Sequence, residues 1–187
     1  MSMLKAVRRV VTGHTARGSS VVLLDGIATN TLANPARPGR GLTDLWVTDR
    51  APAGNAGRAD AADGPIKLEP PPKGSVFRFF QIPPEAEDEA LSREERERRT
   101  AAAFERMGAA ATRVDTTRHP AMHKTRTVDY VILLSGEVTM LLDEGDVTLK
   151  PFDVVIQRGT NHAWVNRGSV PAVLAGVLID AEPVQSA

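Results

Sequence analysis

Residues 119–166 read HPAMHKTRTVDYVILLSGEVTMLLDEGDVTLKPFDVVIQRGTNHAWVN, and this stretch decides the fold. Three of the chain's four histidines, His119, His123 and His162, fall in it. Segments 128–134, 138–142, 147–149, 154–157 and 163–165, with 170–179 just beyond, are rich in Val, Leu and Ile. The separators SGE, DEGD, KPFD, RGTN and NRGS punctuate them. Short strands at this spacing predict a sandwich or barrel rather than alternating strands and helices.

Side chains alternate across an extended segment, so His123, Thr125, Thr127, Asp129, Val131 and Leu133 share one face. His162, Trp164 and Asn166 share a face of another strand by the same rule. Where both faces turn into one barrel, two imidazoles and a carboxylate meet at its mouth. That donor set is the one used by non-haem Fe(II) sites, and it also suits Zn or Mn. Without a metal, His123 or His162 is a proton shuttle and Asp129 its orienter. The plainer reading, core histidines with satisfied hydrogen bonds and a carboxylate holding a strand end, stays open. Trp164 is a candidate pocket wall, and Tyr130, of opposite parity, is expected to pack between barrel and helix.

Working outward, residues 67–82 return to strand character after the turn PPPKG. In SVFRFFQI, Phe77 and Phe79 share one face, and Arg78 and Phe80 the other. An inward Arg78 is a candidate carboxylate clamp for an anionic substrate. Residues 85–111 are helix formers almost throughout. Ser92 with Glu95 forms a capping box, and Glu94/Arg98 and Glu95/Arg99 are pairs at i,i+4. Thr100, Ala103, Phe104, Met107 and Ala111 supply a thin apolar stripe. This helix is read as an insertion lying outside the sheet, with no chemistry assigned to it. Nearer the N-terminus, residues 5–11, 21–24 and 45–48 are strand-like. Residues 30–41 (NTLANPARPGRG) are expected to be an irregular loop and 51–64 a small, polar surface excursion.

The totals exclude several classes. A chain of 187 residues is long enough for one domain with a genuine core. Its 23 basic and 23 acidic residues balance, and only 4% of residues are aromatic, so a nucleic-acid partner is not expected. Zero cysteines exclude disulfides and thiolate metal sites. No apolar run approaches the roughly 18 residues of a membrane span. The basic N-terminus resembles a transit peptide only faintly, and a first strand over 6–12 accounts for it. A cytoplasmic location is expected. No glycine pattern for a phosphate or dinucleotide is present, so no nucleotide cofactor is expected.

The two histidine-bearing stretches resemble the cupin superfamily, in particular its small single-domain members. That family's motifs are written G-x5-H-x-H-x3,4-E-x6-G and G-x5-P-x-G-x2-H-x3-N. Here HKTRTVD (123–129), then six residues to Gly136, follows the first, and QRGTNHAWVN (157–166) follows the second. The resemblance covers about residues 70–82 and 119–180. It implies a mainly β, cupin-type double-stranded β-helix (jelly-roll) barrel, with extra N-terminal strands over 1–66, an entry strand over 67–82, the helix over 85–111 and a barrel core over 119–182. It also implies a divalent metal, Fe or Zn before Mn or Ni, held by His123, Asp129 and His162, with His119 as a further nitrogen. The departures are Thr125 where a second histidine stands, Asp129 for glutamate, Gln157 for proline and Phe152 for a turn glycine.

The leading functional expectation is a small-molecule enzyme with His123, His162 and Asp129 as its catalytic groups. Arg78, Thr125, Trp164 and Asn166 would then bind the substrate. Its chemistry would be dioxygenation, decarboxylation, isomerisation or dehydration of a small carboxylated or aromatic/enolic metabolite. The alternatives are a non-catalytic metabolite-binding module, a metal-free histidine lyase and an assembly scaffold. A homodimer is expected, with 6–12 or 21–24 at the interface, because those strands lack an obvious partner.

Overall fold

Alternation of apolar and polar residues builds eleven strands in the computed structural model, which describes residues 3–88 and 90–184. In chain order they are β1 (Arg8–His14), β2 (Ser20–Ile27), β3 (Thr31–Ala33), β4 (Gly41–Thr48) and β5 (Ser75–Ile82). After one α-helix, α1 (Arg93–Arg106), come β6 (Thr127–Ser135), β7 (Val138–Leu142), β8 (Asp146–Leu149), β9 (Val154–Arg158), β10 (His162–Val165) and β11 (Ala172–Asp180). A six-stranded antiparallel sheet runs β3-β4-β5-β11-β6-β9, and a three-stranded one runs β10-β7-β8.

The core lies between these two sheets. On β6, Thr127, Asp129, Val131 and Leu133 are buried while Tyr130 and Ile132 are exposed. On β11, Ala172, Leu174 and Leu178 point inward by the same two-residue period. Val131, Leu133, Ala172 and Leu174 meet Val138 and Met140 of β7, Leu149 of β8 and Trp164 of β10 in one hydrophobic cluster. The turn from β6 to β7 requires Gly136. Its φ is +79°, and a Cβ there would lie 2.7 Å from the Pro171 carbonyl oxygen. Phe152, in the turn before β9, adopts the same left-handed region with φ +75°.

Several expectations change here. The 30–41 segment is not wholly irregular: Thr31–Ala33 pairs with β4, because edge pairing uses backbone groups and tolerates Pro and Gly on either side. The N-terminal strands do have a partner, each other, from Arg8↔Ile27 to His14↔Ser20. That hairpin is tied on by Lys5, whose amide donates to Gln81 Oε1 at 2.9 Å, and by Arg9, which binds the Leu45 carbonyl at 2.8 Å and the Asp60 carboxylate. Asp60 and Ala62 thereby anchor the 51–64 excursion, and Ala62 is buried. Tyr130 faces solvent rather than the helix.

The 85–111 helix shortens to Arg93–Arg106 between two short 3-10 turns; residue 89, within the expected span, falls outside the described residues. Ser92 caps it, its hydroxyl accepting from the Glu95 amide at 3.1 Å. Glu95 binds Arg98 and Arg99 instead of closing the capping box, so Arg98 pairs at i,i+3 and not with Glu94. The helix also does more than cover a sheet. Its stripe of Thr100, Ala103, Phe104 and Met107 lines a hollow at one end of the sandwich.

Candidate functional site

That hollow, about 200 Å³, is where the two histidine segments meet. His123 and His162 exchange both backbone hydrogen bonds, each N–H donating to the other's carbonyl at 2.9 Å. The exchange sets the imidazoles side by side, with ring centroids 4.3 Å apart. Phe104 meets the His123 ring edge-on at 5.0 Å, and Trp164 meets His162 in the same way at 5.7 Å. Phe80 in turn lies 6.0 Å from Trp164, so hydrocarbon encloses the pair.

Each Nδ1 is held by a backbone carbonyl. His123 Nδ1 donates to Ala121 O at 2.9 Å, and His162 Nδ1 lies 2.9 Å from both Thr160 O and the Gln157 amide nitrogen. This fixes the His123 tautomer, whereas at His162 the carbonyl and the Gln157 amide compete for Nδ1; neither Nε2 has a hydrogen-bond partner among the described residues. Burial pushes the His123 pKa down to about 3, assisted by the charge of His162, and that of His162 down to about 4. Both rings are neutral at pH 7.

A consequence for stability follows with a definite sign. The unfolded chain protonates these imidazoles near pH 6.5, whereas the native state resists until about 4 and about 3. Stability is therefore fully present above about 6.5 and falls as pH drops below it, by up to about 1.4 kcal/mol per pH unit for each ring. Asp129 opposes this, but only as a single group over a narrower window. Urea unfolding at pH 5 and pH 7 is expected to show the loss, and His162→Gln to reduce it.

Asp129, from β6, lines the same hollow and is 6% exposed. Its Oδ1 is buried without a hydrogen-bond partner. A carboxylate only accepts, so the Thr127 hydroxyl donates to it and in turn accepts from Thr125, 2.7 Å away. Burial pushes the Asp129 pKa up to about 6, with the Thr127 hydrogen bond and the charge of Arg78 pulling the other way. Asp129 does not orient either imidazole; backbone carbonyls do that.

The remaining expected site residues take other positions. Arg78 points inward at 2% exposure, but its guanidinium is bound to Asp44 (2.9 and 3.1 Å) and donates to the Lys67 and Leu68 carbonyls. Asn166 is spent on structure: its amide donates to Ile82 O and Val170 O, and its oxygen accepts from the Gly168 amide. His119 lines the hollow with both nitrogens engaged, Nδ1 by the Ala121 amide and Nε2 by Glu85 at 2.9 Å. Glu85 is held below its ordinary pKa by that contact.

This donor set does not fit the resident metal that the resemblance implies. A catalytic metal site takes about three protein ligands, and the two Nε2 atoms supply two nitrogens. Among the described residues no three His, Asp or Glu side chains gather closely enough to share an ion. Thr125 stands at the missing histidine, its hydroxyl engaged by Thr127, and His119 has no nitrogen to spare.

Sequence reasoning missed Asp44, Gln157 and Phe104. Asp44 shows no signal in a short strand segment. Gln157 appeared only as a departure from a motif. Phe104 was visible in the helix stripe, but nothing in the sequence says which surface that stripe covers.

No family model matches this chain. Among curated proteins, phomopsin biosynthesis cluster protein C′ of Diaporthe leptostromiformis is 41% identical over 66 residues, 34% of this chain and 35% of that protein. Oryzines biosynthesis cluster protein J of Aspergillus oryzae is 39% identical over 67 residues, covering 35% and 37%. A cupin-domain-containing oxidoreductase of Neurospora crassa is 36% identical over 70 residues, covering 35% and 36%. The match thus spans about a third of the length of these relatives. Among solved structures, a Cupin 2 conserved barrel domain protein of Salinispora arenicola aligns with a TM-score of 0.41 at 15% identity, covering 82% of this chain and 83% of that one. A cupin superfamily protein of Desulfitobacterium hafniense gives 0.34 at 11%, covering 56% and 66%.

Two antiparallel sheets with a hollow lined by the two paired motif histidines define a cupin-type barrel whose sheets are not closed on each other. Over about a third of its length the chain is similar to cupin-domain-containing proteins, and the described residues add an N-terminal hairpin and one inserted helix to that stretch. No helix among the described residues is long and apolar enough to cross a membrane.

Proposed function

We propose that the hollow binds a small metabolite with an enolisable carbonyl or an enolic hydroxyl and moves a proton between two of its atoms, an isomerase- or lyase-type reaction. One observation carries this reading: Asp129, with an unpartnered Oδ1 and a pKa near 6, shares a hydrocarbon-walled hollow with two neutral imidazoles. A base with a pKa just below the working pH is largely ionised and still accepts a proton readily. The imidazoles, at about 3 and 4, are too weakly basic for that task. Their Nε2 lone pairs instead accept hydrogen bonds from ligand hydroxyls and orient them.

In the proposed step Asp129 takes the proton from the carbon beside the carbonyl. The C–H electron pair becomes the carbon–carbon double bond, and the carbonyl pair moves onto oxygen. The carboxyl then returns the proton to a neighbouring atom. Arg78, whose charge already acts on Asp129, adds positive potential where the enolate forms. Some fungal relatives carry oxidoreductase in their names; the two-nitrogen donor set favours proton transfer for this chain.

The test is deuterium exchange at the carbon next to the carbonyl of phenylpyruvate, followed by NMR in D2O. Acceleration by the protein that is lost in Asp129→Asn is expected. Oxygen uptake that depends on added Fe(II) and is indifferent to Asp129→Asn would replace this reading with an oxidative one. Binding without exchange would favour the metabolite-binding module.

Pairing with a second copy through β1 and β2 also remains a proposal. It is supported by Val10, Val22 and Ile27, apolar side chains exposed on that hairpin. Light scattering is expected to give twice the 20.1 kDa chain mass, and Val22→Lys to shift it toward one.

A further inference from the structure

Charge is distributed unevenly around the hollow. The chain is neutral overall, yet among the described residues six arginines (Arg37, Arg40, Arg78, Arg96, Arg99 and Arg106) line this cavity against two acids, Glu85 and Asp129. Most of these guanidiniums have commitments. Arg78 is paired with Asp44, Arg99 with Glu95 at 2.6 Å, and Arg37 and Arg106 with backbone carbonyls. Arg40 sits close enough to His123 for its charge to oppose protonation of that ring.

Arg96 differs. It projects from the first turns of α1 into the lining, and its Nε is buried with no partner. Its guanidinium makes no hydrogen bond to any described residue. Glu85, an acid on which its charge acts, is already engaged by His119. An unspent planar fork of N–H donors beside a half-enclosed apolar space binds a planar oxyanion better than any neutral group.

We infer that Arg96 is the receptor for a carboxylate on the ligand, so that the hollow selects organic acids whose apolar portion extends inward between Phe104 and Trp164 toward the paired imidazoles. This moves the anion clamp away from Arg78, and it assigns specificity to a helix that the barrel motifs do not include. The inference rests on the reading that the hollow receives a small metabolite, but it does not depend on which reaction follows.

Calorimetric titration with phenylacetate and with its neutral counterpart phenylacetamide tests it. The wild-type chain is expected to bind the acid about tenfold or more tightly than the amide, the scale of a charge-assisted bidentate contact. Arg96→Gln abolishes that preference, Arg96→Lys restores part of it, and Arg98→Gln, on the outer face of the same helix, leaves it unchanged. Equal affinity for acid and amide, absence of binding of either at millimolar concentration, or an unaltered preference in Arg96→Gln overturns the inference. The two claims separate cleanly: failure of deuterium exchange in the presence of an Arg96-dependent acid preference removes the proton-transfer reading and leaves this one standing.

Discussion

Asp129→Asn is expected to lower deuterium exchange at the probe carbon by about 10²- to 10⁴-fold and, at the same time, to make the fold more stable above pH 6. The two effects share a cause. Burial raises the Asp129 pKa from 3.8 to about 6, so the native state favours the protonated carboxyl more than the unfolded chain does. A carboxyl whose pKa rises on folding contributes most below its unfolded value, and that contribution is lost as pH climbs through the folded one. At pH 8 the ionised group therefore costs the native state up to about 3 kcal/mol. An asparagine removes the charge, while its oxygen still accepts from Thr127. Urea unfolding at pH 8 measures the gain, and exchange kinetics measure the loss. A carboxylate placed only to hold the end of β6 would show a loss of stability instead. The exchange rate of the unaltered chain is expected to rise with pH through about 6, as the base form appears.

Asp44→Ala is expected to cost about 3–5 kcal/mol, the scale for removing one partner of a buried ion pair. Arg78 is 2% exposed and Asp44 3%. Burial pushes each toward its neutral form, and the charge and hydrogen bond of the other pull it back. Removing Asp44 leaves a cation in the core with two backbone carbonyls and the more distant charge of Asp129. Equilibrium urea denaturation reads the loss. The double replacement Asp44→Leu, Arg78→Met is expected to recover much of it, because hydrocarbon of similar size needs no partner there. A second readout is chemical: with Asp44 gone, Arg78 acts more strongly on Asp129, and the pH at which exchange switches on is expected to move down.

The strand period in VDYVILL was enough to place Asp129 inside and give Tyr130 the opposite parity, because a half-buried strand exposes every second residue, but the helix expected to cover Tyr130 leaves it in solvent. The same rule put His123 and His162 on inward faces, and the motif order brought those faces together. What the linear chain could not display was who holds whom. Asp44 and Arg78 are 34 residues apart and meet only because β4 pairs with β5. Asn166 looked like a ligand contact from its parity, yet its amide is consumed by carbonyls of β5 and the turn before β11. The helix was recognisable from Ser92 and its charge pairs, but its docking surface is set by the tertiary path. Thr31–Ala33 was hidden because three residues among prolines carry almost no local strand signal.

β5 and β6 both flank β11, so the chain leaves the large sheet at Ile82 and re-enters it at Thr127 across a single intervening strand. Glu85, Arg96, Phe104, His119 and His123 all travel on that one excursion. Ligand preference in such a scaffold can diverge by swapping a contiguous cassette, with the β5–β11–β6 ladder beneath it left in register. Chimaeras exchanged at those two junctions should keep the barrel and change what enters it.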